Sequence, residues 1–186
     1  MIFYGNFPMK KFILGVSSSI LVIGGLLYVN IIRLPITQHI ENRWAAEAYD
    51  DRYLVGFYDN FFIGTIVSTG PSSVIDDQAV TQIKIELLKN IKGELPTSIS
   101  LYQAGGYKHG LLYVEDETPI MNVGDTYLLA GTPVDDRLIV TSFPGAHVLL
   151  DDGQNGTLPN LYNLMTNERV QAVVKAIPEQ ILRSQR

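Results

Sequence analysis

The chain contains no cysteine among its 186 residues. This absence excludes disulfide bonds, thiolate zinc sites and cysteine nucleophiles, as well as the lipid-bearing cysteine of a bacterial lipoprotein. Small exported domains of eukaryotes usually depend on disulfides for their stability. For an exported chain, the lack of cysteine therefore favours a bacterial source.

Acidic residues are missing from the first 35 positions, where Lys10, Lys11 and Arg33 give a net charge of +3. Residues 36–186 hold the other 11 basic residues and all 19 acidic residues, which is a net charge of −8. A nucleic-acid-binding surface needs a basic footprint, and anionic lipid headgroups repel an acidic domain. The charge distribution therefore argues against nucleic acid as a partner.

Charge is also absent from Phe12–Ile32, a run of 21 residues. At about 1.5 Å per residue, a helix of this length crosses a hydrocarbon core of about 30 Å. The paired lysines Lys10 and Lys11 place its first end in the cytoplasm by the positive-inside rule. The sequence thus predicts a cytoplasmic tail over 1–11, a single transmembrane signal-anchor helix over 12–32, and an extracytoplasmic remainder.

A cleaved signal peptide is the main alternative, because it also begins with basic residues. Its apolar core is normally shorter, and the segment "YVNIIRLPITQ" offers no small-x-small cleavage site. A buried helix of a soluble protein is a third reading. The small residues Gly24, Gly25 and Ser17–Ser19 are compatible with a close contact to another helix or with an isolated span.

Residues 33–52 are predicted to form a juxtamembrane helix or linker. Pro35 breaks or kinks the preceding helix, and Thr37 is a candidate N-cap. Ile40, Trp44 and Ala48 then share one helical face. Trp44 would lie at the membrane surface or against the domain.

From Tyr53 the composition becomes typical of β-structure, with a first strand expected to end at the turn residues Gly70–Ser72. In the next strand an alternating set should be buried, and this set consists of Thr81, Ile83, Ile85 and Leu87. A third strand contains Ile99 and Leu101, a hairpin surrounds Pro133–Asp136, and residues near His147 add an edge strand.

The region 151–186 is predicted to be a turn followed by an amphipathic helix. The apolar stripe of this helix consists of Val170, Val173, Val174 and Ile177. Thr166 or Asn167 would cap its start, and Pro178 would end or bend it. We expect this helix to cover an open end of the sheet.

Five strands with these spacings and a covering helix predict a mainly β (α+β) fold, a small five-stranded barrel. Over residues 53–150 the chain resembles bacterial exported domains of the TIMP/netrin-like family, which implies an OB-fold barrel. The residues that carry this resemblance are Asp59, Gly64, Gly93, Gly105, Gly106, Gly124, Tyr127 and Leu128. TIMP inhibitors use an N-terminal cysteine to seize a protease zinc, and this chain has no such residue.

The segment "QAGGYKHG" is the candidate binding loop, with Gly105, Gly106, Lys108 and His109 as its chemical groups. The glycines also suit a simple bend or bulge at a strand end, and no helix follows them as a phosphate loop would require. A second candidate is an aromatic contact patch that includes Tyr58 and Phe61, unless these residues face the core.

Metal binding and catalysis have little support in the residue pattern. The histidines His39, His109 and His147 show no metal-ligand spacing, and an EF-hand starting at Asp151 would lack two oxygen ligands. Ser142 lies near His147 but outside a nucleophile-elbow motif. We therefore expect no metal site, no cofactor and no catalytic residues, with weak Ca²⁺ binding at surface carboxylates as the alternative.

The resulting functional hypothesis is a membrane-anchored, non-catalytic binding domain of the bacterial envelope. Its partner would be an envelope protein, a cell-wall component or another membrane subunit. A small tethered hydrolase is one alternative, and it requires His109 or His147 within hydrogen-bond reach of a carboxylate. An accessory subunit of a larger membrane complex is the other.

Overall fold

The structure is a computed structural model that describes residues 36–41, 49–116, 118–134, 137–140, 145–153 and 159–182. The chain divides into two compact units, Met1–Ile36 and Thr37–Arg186. The predicted tail and transmembrane segment, residues 1–32, lie outside the described residues. Among the residues that are described, no helix has the length and apolar character needed to cross a membrane.

The described part is mainly β-structure with a helix near the C-terminus, as the sequence predicted, and it contains further short helices that the sequence did not predict. Its strands are β1 Ile36–Ile40, β2 Asn60–Ile75, β3 Gln78–Lys92, β4 Ser98–Ala104, β5 Gly106–Lys108, β6 Leu111–Glu115, β7 Thr126–Val134, β8 Arg137–Val140 and β9 His147–Asp151. Its helices are α1 Asp51–Phe57, α2 Leu161–Met165 and α3 Glu168–Ala176, followed by a 3₁₀ turn over Ile177–Glu179.

Six strands form one sheet in the order β2-β3-β4-β8-β7-β9, and β2 also pairs with β7. The pairings from β2 through β3, β4, β8 and β7 therefore return to β2. All of them are antiparallel except β4 with β8, which is parallel. A second sheet has the order β1-β6-β5. Two of its strands, β5 and β6, belong to the segment that connects β4 to β7, whereas β1 comes from the start of the described part.

Buried apolar residues form two clusters, one on each side of β2 and β7. The strand cluster consists of Phe62, Ile66, Ile83, Ile85, Ile99, Leu101, Met121, Tyr127, Leu129, Leu138 and Val140. The helix cluster joins Phe61, Ile63, Leu128 and Ala130 to residues of the helices, including Val55, Val170 and Val173. Consecutive residues of β2 and β7 thus enter opposite clusters, as the two-residue period of a strand requires.

The alternating pattern predicted for β3 and β4 is confirmed except at the start of β3. Thr81, Ile83 and Ile85 are buried and Leu87 is partly buried, but Val80, which belongs to the opposite set, is buried as well. Ile99 and Leu101 are buried on β4. The predicted hairpin is the antiparallel pair β7–β8, and β9 is an edge strand that pairs with β7 alone. One-sided burial makes such strands predictable from sequence, because only alternate residues must be apolar.

The helix predicted from Thr37 is wrong, because residues 36–40 form the strand β1. Residues 42–48, which include Trp44, lie outside the described residues. The β-structure expected from Tyr53 is also wrong at its start, because α1 runs to Phe57. The Asp50 side chain caps α1 by accepting the Arg52 N–H at 2.9 Å, a local signal that overrides the β-rich composition.

The strand end predicted at Gly70–Ser72 is wrong as well, since β2 continues to Ile75. The register between β2 and β3 shifts between Thr69 and Ser72, so Gly70 and Pro71 stand outside the ladder as a bulge. A bulge accommodates proline because its missing N–H is not needed there. The turn comes later, at Asp76 and Asp77, which have φ angles of 48° and 63°.

The predicted C-terminal helix is present, and Asn167 caps it by accepting the Arg169 N–H at 2.9 Å. Val170 and Val173 are buried, whereas Val174 is 37% exposed. The helix packs on the outer residues of β2 and β7 in the helix cluster, and not over an open end of the sheet as predicted. Arg169 also forms an ion pair with Asp51 of α1, with a shortest N–O distance of 2.5 Å.

Lys92, the last residue of β3, ties the helical layer to the sheet. Its Nζ donates to the backbone oxygen of Val55, to that of Tyr58 at 2.8 Å and to the Gln180 Oε1 at 3.0 Å. These acceptors lie in α1, at its C-cap and just after the 3₁₀ turn. Burial lowers the pKa of Lys92, and the charge of Asp59 partly opposes this.

Candidate binding cleft

A cleft of about 420 Å³ opens between the bulged part of β2 and the segment that leads into β7. Its walls combine residues that are distant in sequence but brought together by β2, β3 and the β5–β6 hairpin. The lining residues are Thr69, Gly70, Pro71, Ser72, Thr81, Tyr107, Leu112, Ile120, Met121, Asn122 and Val123. This volume lies within the range of about 300–1,000 Å³ that is typical of small-molecule sites.

The predicted glycine pair borders this cleft. Gly105 and Gly106 have φ angles of 101° and 138°, a region that side chains disfavour. A Cβ atom on Gly106 would lie 2.6 Å from both the Ser72 Oγ and the Thr81 Oγ1, which leaves no room for one. The glycines therefore allow the β5 backbone to approach the two hydroxyl groups of the cleft.

The hydroxyl groups differ in how fully they are satisfied. Thr81 is 5% exposed, and its Oγ1 donates to the Gly105 carbonyl at 2.9 Å. Ser72 Oγ lies 3.4 Å from Thr81 Oγ1, which is long for a hydrogen bond between hydroxyls. The Ser72 hydroxyl thus retains hydrogen-bonding capacity at the cleft wall.

The opposite wall is held in place by Gln103, which is only 2% exposed. Its Nε2 donates to the Pro119 carbonyl at 2.8 Å, and its Oε1 accepts the Met121 N–H at 3.0 Å. Next in the wall, the Asn122 Nδ2 donates to Asp125 Oδ2 at 3.3 Å. A buried side chain therefore fixes the backbone of this wall.

The rim is aromatic and apolar, and the lining is uncharged. Tyr107 is 53% exposed and Val123 is 57% exposed. Among the described residues, none that lines the cleft is an acid, a lysine, an arginine or a histidine. Such a site favours an uncharged ligand, since a buried charge without a partner is strongly unfavourable.

Lys108 and His109, the other predicted loop residues, do not line the cleft. Lys108 Nζ donates to Oδ1 of Asp77, which lies in the β2–β3 turn, at 2.7 Å. This hydrogen bond, together with the lysine charge, lowers the pKa of Asp77. His109 has a φ angle of 51° in the β5–β6 turn. The two glycines are not among the lining residues either, but their backbone lies against two residues that are, Ser72 and Thr81, whereas the lysine is engaged by Asp77.

Tyr58 and Phe61 are buried, with exposures of 3% and 0%. Both belong to the helix cluster, so the prediction that they form a surface contact patch is wrong. At the start of β2 the outward residues Phe61 and Ile63 are covered by the helices. The rings of Tyr58 and Phe61 pack edge to face in the core, with centroids 6.1 Å apart.

No protein-family model matches the chain, and no curated protein is significantly similar to it. Its function is therefore inferred from its own residues and geometry.

The histidines show no arrangement for hydrolysis within the described residues. His39 Nδ1 lies 2.5 Å from Asp116 Oδ1, but both side chains are largely exposed. His147 is packed edge to face against Tyr127 at 5.2 Å, and its Nδ1 has no hydrogen-bond partner in the part of the chain that is described. Burial lowers the pKa of His147 to about 4, with the Glu115 charge opposing.

Metal-ligating side chains are scattered over the same described ranges. Nowhere in these ranges do three His, Asp or Glu side chains come together in a way that could hold a metal ion. Tyr127, the neighbour of His147, donates its hydroxyl to Asp125 at 3.0 Å. Burial, followed by this hydrogen bond, raises its pKa to about 12, so it is not an acid–base group at neutral pH.

Sequence reasoning missed Tyr107, Ser72 and Val123 as site residues. Tyr107 stands inside the candidate segment "QAGGYKHG", but the lysine and the histidine beside it look more reactive. Ser72 follows Gly70 and Pro71, which together resemble a turn. Ser72 lines the cleft only because Gly70 and Pro71 form a bulge, after which β2 continues to Ile75.

Proposed function

We propose that the chain is a single-pass membrane protein whose β domain lies outside the cytoplasm and binds a component of the bacterial envelope without catalysing a reaction. The cleft between β2 and the Ile120–Val123 segment is its ligand site. The observation that carries the binding role is this preformed, uncharged cleft with an exposed aromatic rim.

The β domain is proposed to be a five-stranded OB-type barrel of the TIMP/netrin-like kind. Support comes from the order of pairings, β2-β3-β4-β8-β7 and back to β2, with β4 and β8 parallel. A strand order that closes on itself around one apolar cluster is what a small barrel requires. Inhibition of a metalloprotease through an N-terminal cysteine is not part of the proposal, because the chain has none.

The membrane topology is proposed from the charge distribution. The uncharged run of residues 12–32 follows two lysines, whereas residues 36–186 carry a net charge of −8. The basic end stays in the cytoplasm by the positive-inside rule. The cleft would then face the envelope, where cell-wall and envelope-protein ligands are present.

A site-specific photo-crosslinker tests the binding role. A photoreactive phenylalanine analogue replaces Tyr107 at the cleft rim in the full-length chain, expressed in the native host. The matched control carries the same analogue at Tyr162, which is 75% exposed on α2 and does not line the cleft. Irradiation of intact cells should give a discrete adduct at position 107 that is absent at 162. Equal adducts at both positions, or none at 107, would contradict the proposal.

A further inference from the structure

We infer that the ligand of the cleft is an uncharged sugar unit of an envelope glycan. This inference rests on the proposed binding function and names the chemical class that the cleft recognises. It follows from the charge of the lining, from the irregular edge of β2 and from the groups at the rim.

The lining excludes anionic and cationic ligands. A bound phosphate, carboxylate or ammonium group would find no opposite charge among the lining residues that the structure describes. The nearest cation in the candidate loop, Lys108, is held by Asp77 at 2.7 Å. A charged ligand would lose its hydration without compensation.

An extended peptide is disfavoured by the edge of β2. Beyond Thr65 this strand no longer pairs with β7, although the Ile66 backbone still bonds to Gly124 and Asp125, and further along its residues Thr69–Ser72 line the cleft. Addition of a peptide strand needs a regular row of N–H and C=O groups. Here the register shifts between Ile66 and Ser68 and again between Thr69 and Ser72, and Pro71 has no N–H. Bulges and proline are the features that protect an edge against strand addition.

The remaining groups match a sugar ring. Tyr107 offers an exposed aromatic face at the rim, on which the C–H face of a pyranose can pack. Ser72 supplies a hydroxyl that is only weakly engaged, and Asn122 supplies an amide oxygen for which no hydrogen bond is found in the described part of the chain. Hydroxyl and amide groups both donate to and accept from sugar hydroxyls.

The cleft is also rigid enough to select a ligand. Gln103 fixes one wall, and the Gly105–Gly106 backbone fixes the other through the Thr81 hydroxyl. A preformed site loses little conformational entropy on binding, which increases its affinity for a small unit of matching shape.

The test measures saccharide binding to the full-length chain in detergent micelles, by saturation-transfer NMR and calorimetry. The neutral probes are cellotetraose, maltotetraose and fully N-acetylated chitotetraose. The comparison probes are trigalacturonate and an acetylated, amidated peptide of alternating threonine and valine. At least one neutral saccharide should bind saturably, while trigalacturonate and the peptide should not.

Three variants locate the binding. Tyr107→Ala should weaken the association of that saccharide by about ten-fold or more, whereas Tyr107→Phe, which keeps the ring, should retain most of it. Tyr162→Ala is the matched control and should bind like the native chain. Because Tyr107 is half exposed, its replacement is not expected to affect folding, which circular dichroism checks.

Each outcome bears on the inference. Saccharide binding that Tyr107→Ala leaves unchanged would overturn it, and so would binding of the peptide alone. If no saccharide binds while the adduct at position 107 forms in cells, the inference fails and the proposed binding function stands. If the adduct is absent as well, both fail.

Discussion

His147 should make the fold sensitive to mild acid. Its imidazole lies at the start of β9 against Tyr127, and burial lowers its pKa from 6.5 to about 4. In the unfolded chain the ring takes up a proton near pH 6.5. Between these two values the unfolded state binds more protons than the folded state. The free energy of unfolding must therefore fall as the pH falls from 6.5 towards 4.

The size of the effect follows from the two pKa values. Near pH 4, where the imidazole is fully protonated in the unfolded chain, the free energy of unfolding is lower by about 3 kcal/mol than at high pH. At pH 5 the loss is about 2 kcal/mol, and at pH 7 it is only a few tenths. Because a domain typically has a free energy of unfolding of about 5–15 kcal/mol, a loss of this size is measurable by urea unfolding.

The matched variant is His147→Phe, which keeps a ring against Tyr127 but has no ionisable group. Urea unfolding of both chains at pH 7, 6 and 5 gives the difference in their free energies of unfolding. This difference should move by about 2 kcal/mol in favour of the variant between pH 7 and pH 5. The carboxylates titrate in both chains, so their contribution cancels in the difference between the two free energies of unfolding. Parallel pH profiles for the two chains would refute the assignment of a neutral, buried imidazole.

Two further predictions concern stability and use the same urea assay. Gly106→Ala should lower the free energy of unfolding by about 2 kcal/mol, because its methyl group would meet two hydroxyls at 2.6 Å and strain a positive φ. Gly110→Ala, with nothing within 4 Å, should cost about 1 kcal/mol, and equal losses would contradict the steric argument. Lys92→Met should cost about 2–3 kcal/mol, since its oxygen acceptors at the end of α1 lose their shared donor. The exposed Lys89→Met serves as its control and should change stability little; a comparable loss there would remove the special role of Lys92.

Local pattern is sufficient wherever a strand is buried on one face. In β3, apolar and polar residues alternate, so the alternation by itself places Ile83 and Ile85 in the core. The first half of β2 is different, because Phe61, Phe62 and Ile63 are all 0% exposed. A strand covered on both faces loses its alternation. Core residues and a contact patch then look alike in sequence, which is why the pattern allows a surface position for the buried Phe61.

The cleft could be predicted only in part. Gly105 and Gly106 mark a special backbone conformation that the structure contains. The remaining wall comes from Ile120–Val123, about 50 residues along the chain from Ser72. That proximity depends on where β2 leaves β7 and on the contacts of Gln103. The end of the β2–β7 pairing and the contacts of Gln103 both depend on residues far apart in sequence, so no local motif predicts the site.

The absence of cysteine makes one measurement especially direct. Single cysteines are placed at Tyr107, at Tyr162 and, as a buried control, at Leu101, which is 0% exposed. Intact cells are then treated with a membrane-impermeant maleimide. A folded β domain held outside the cytoplasm, with its cleft open, predicts rapid labelling at positions 107 and 162 and labelling at 101 only after denaturation. Labelling of 107 and 162 only after permeabilisation would contradict the account.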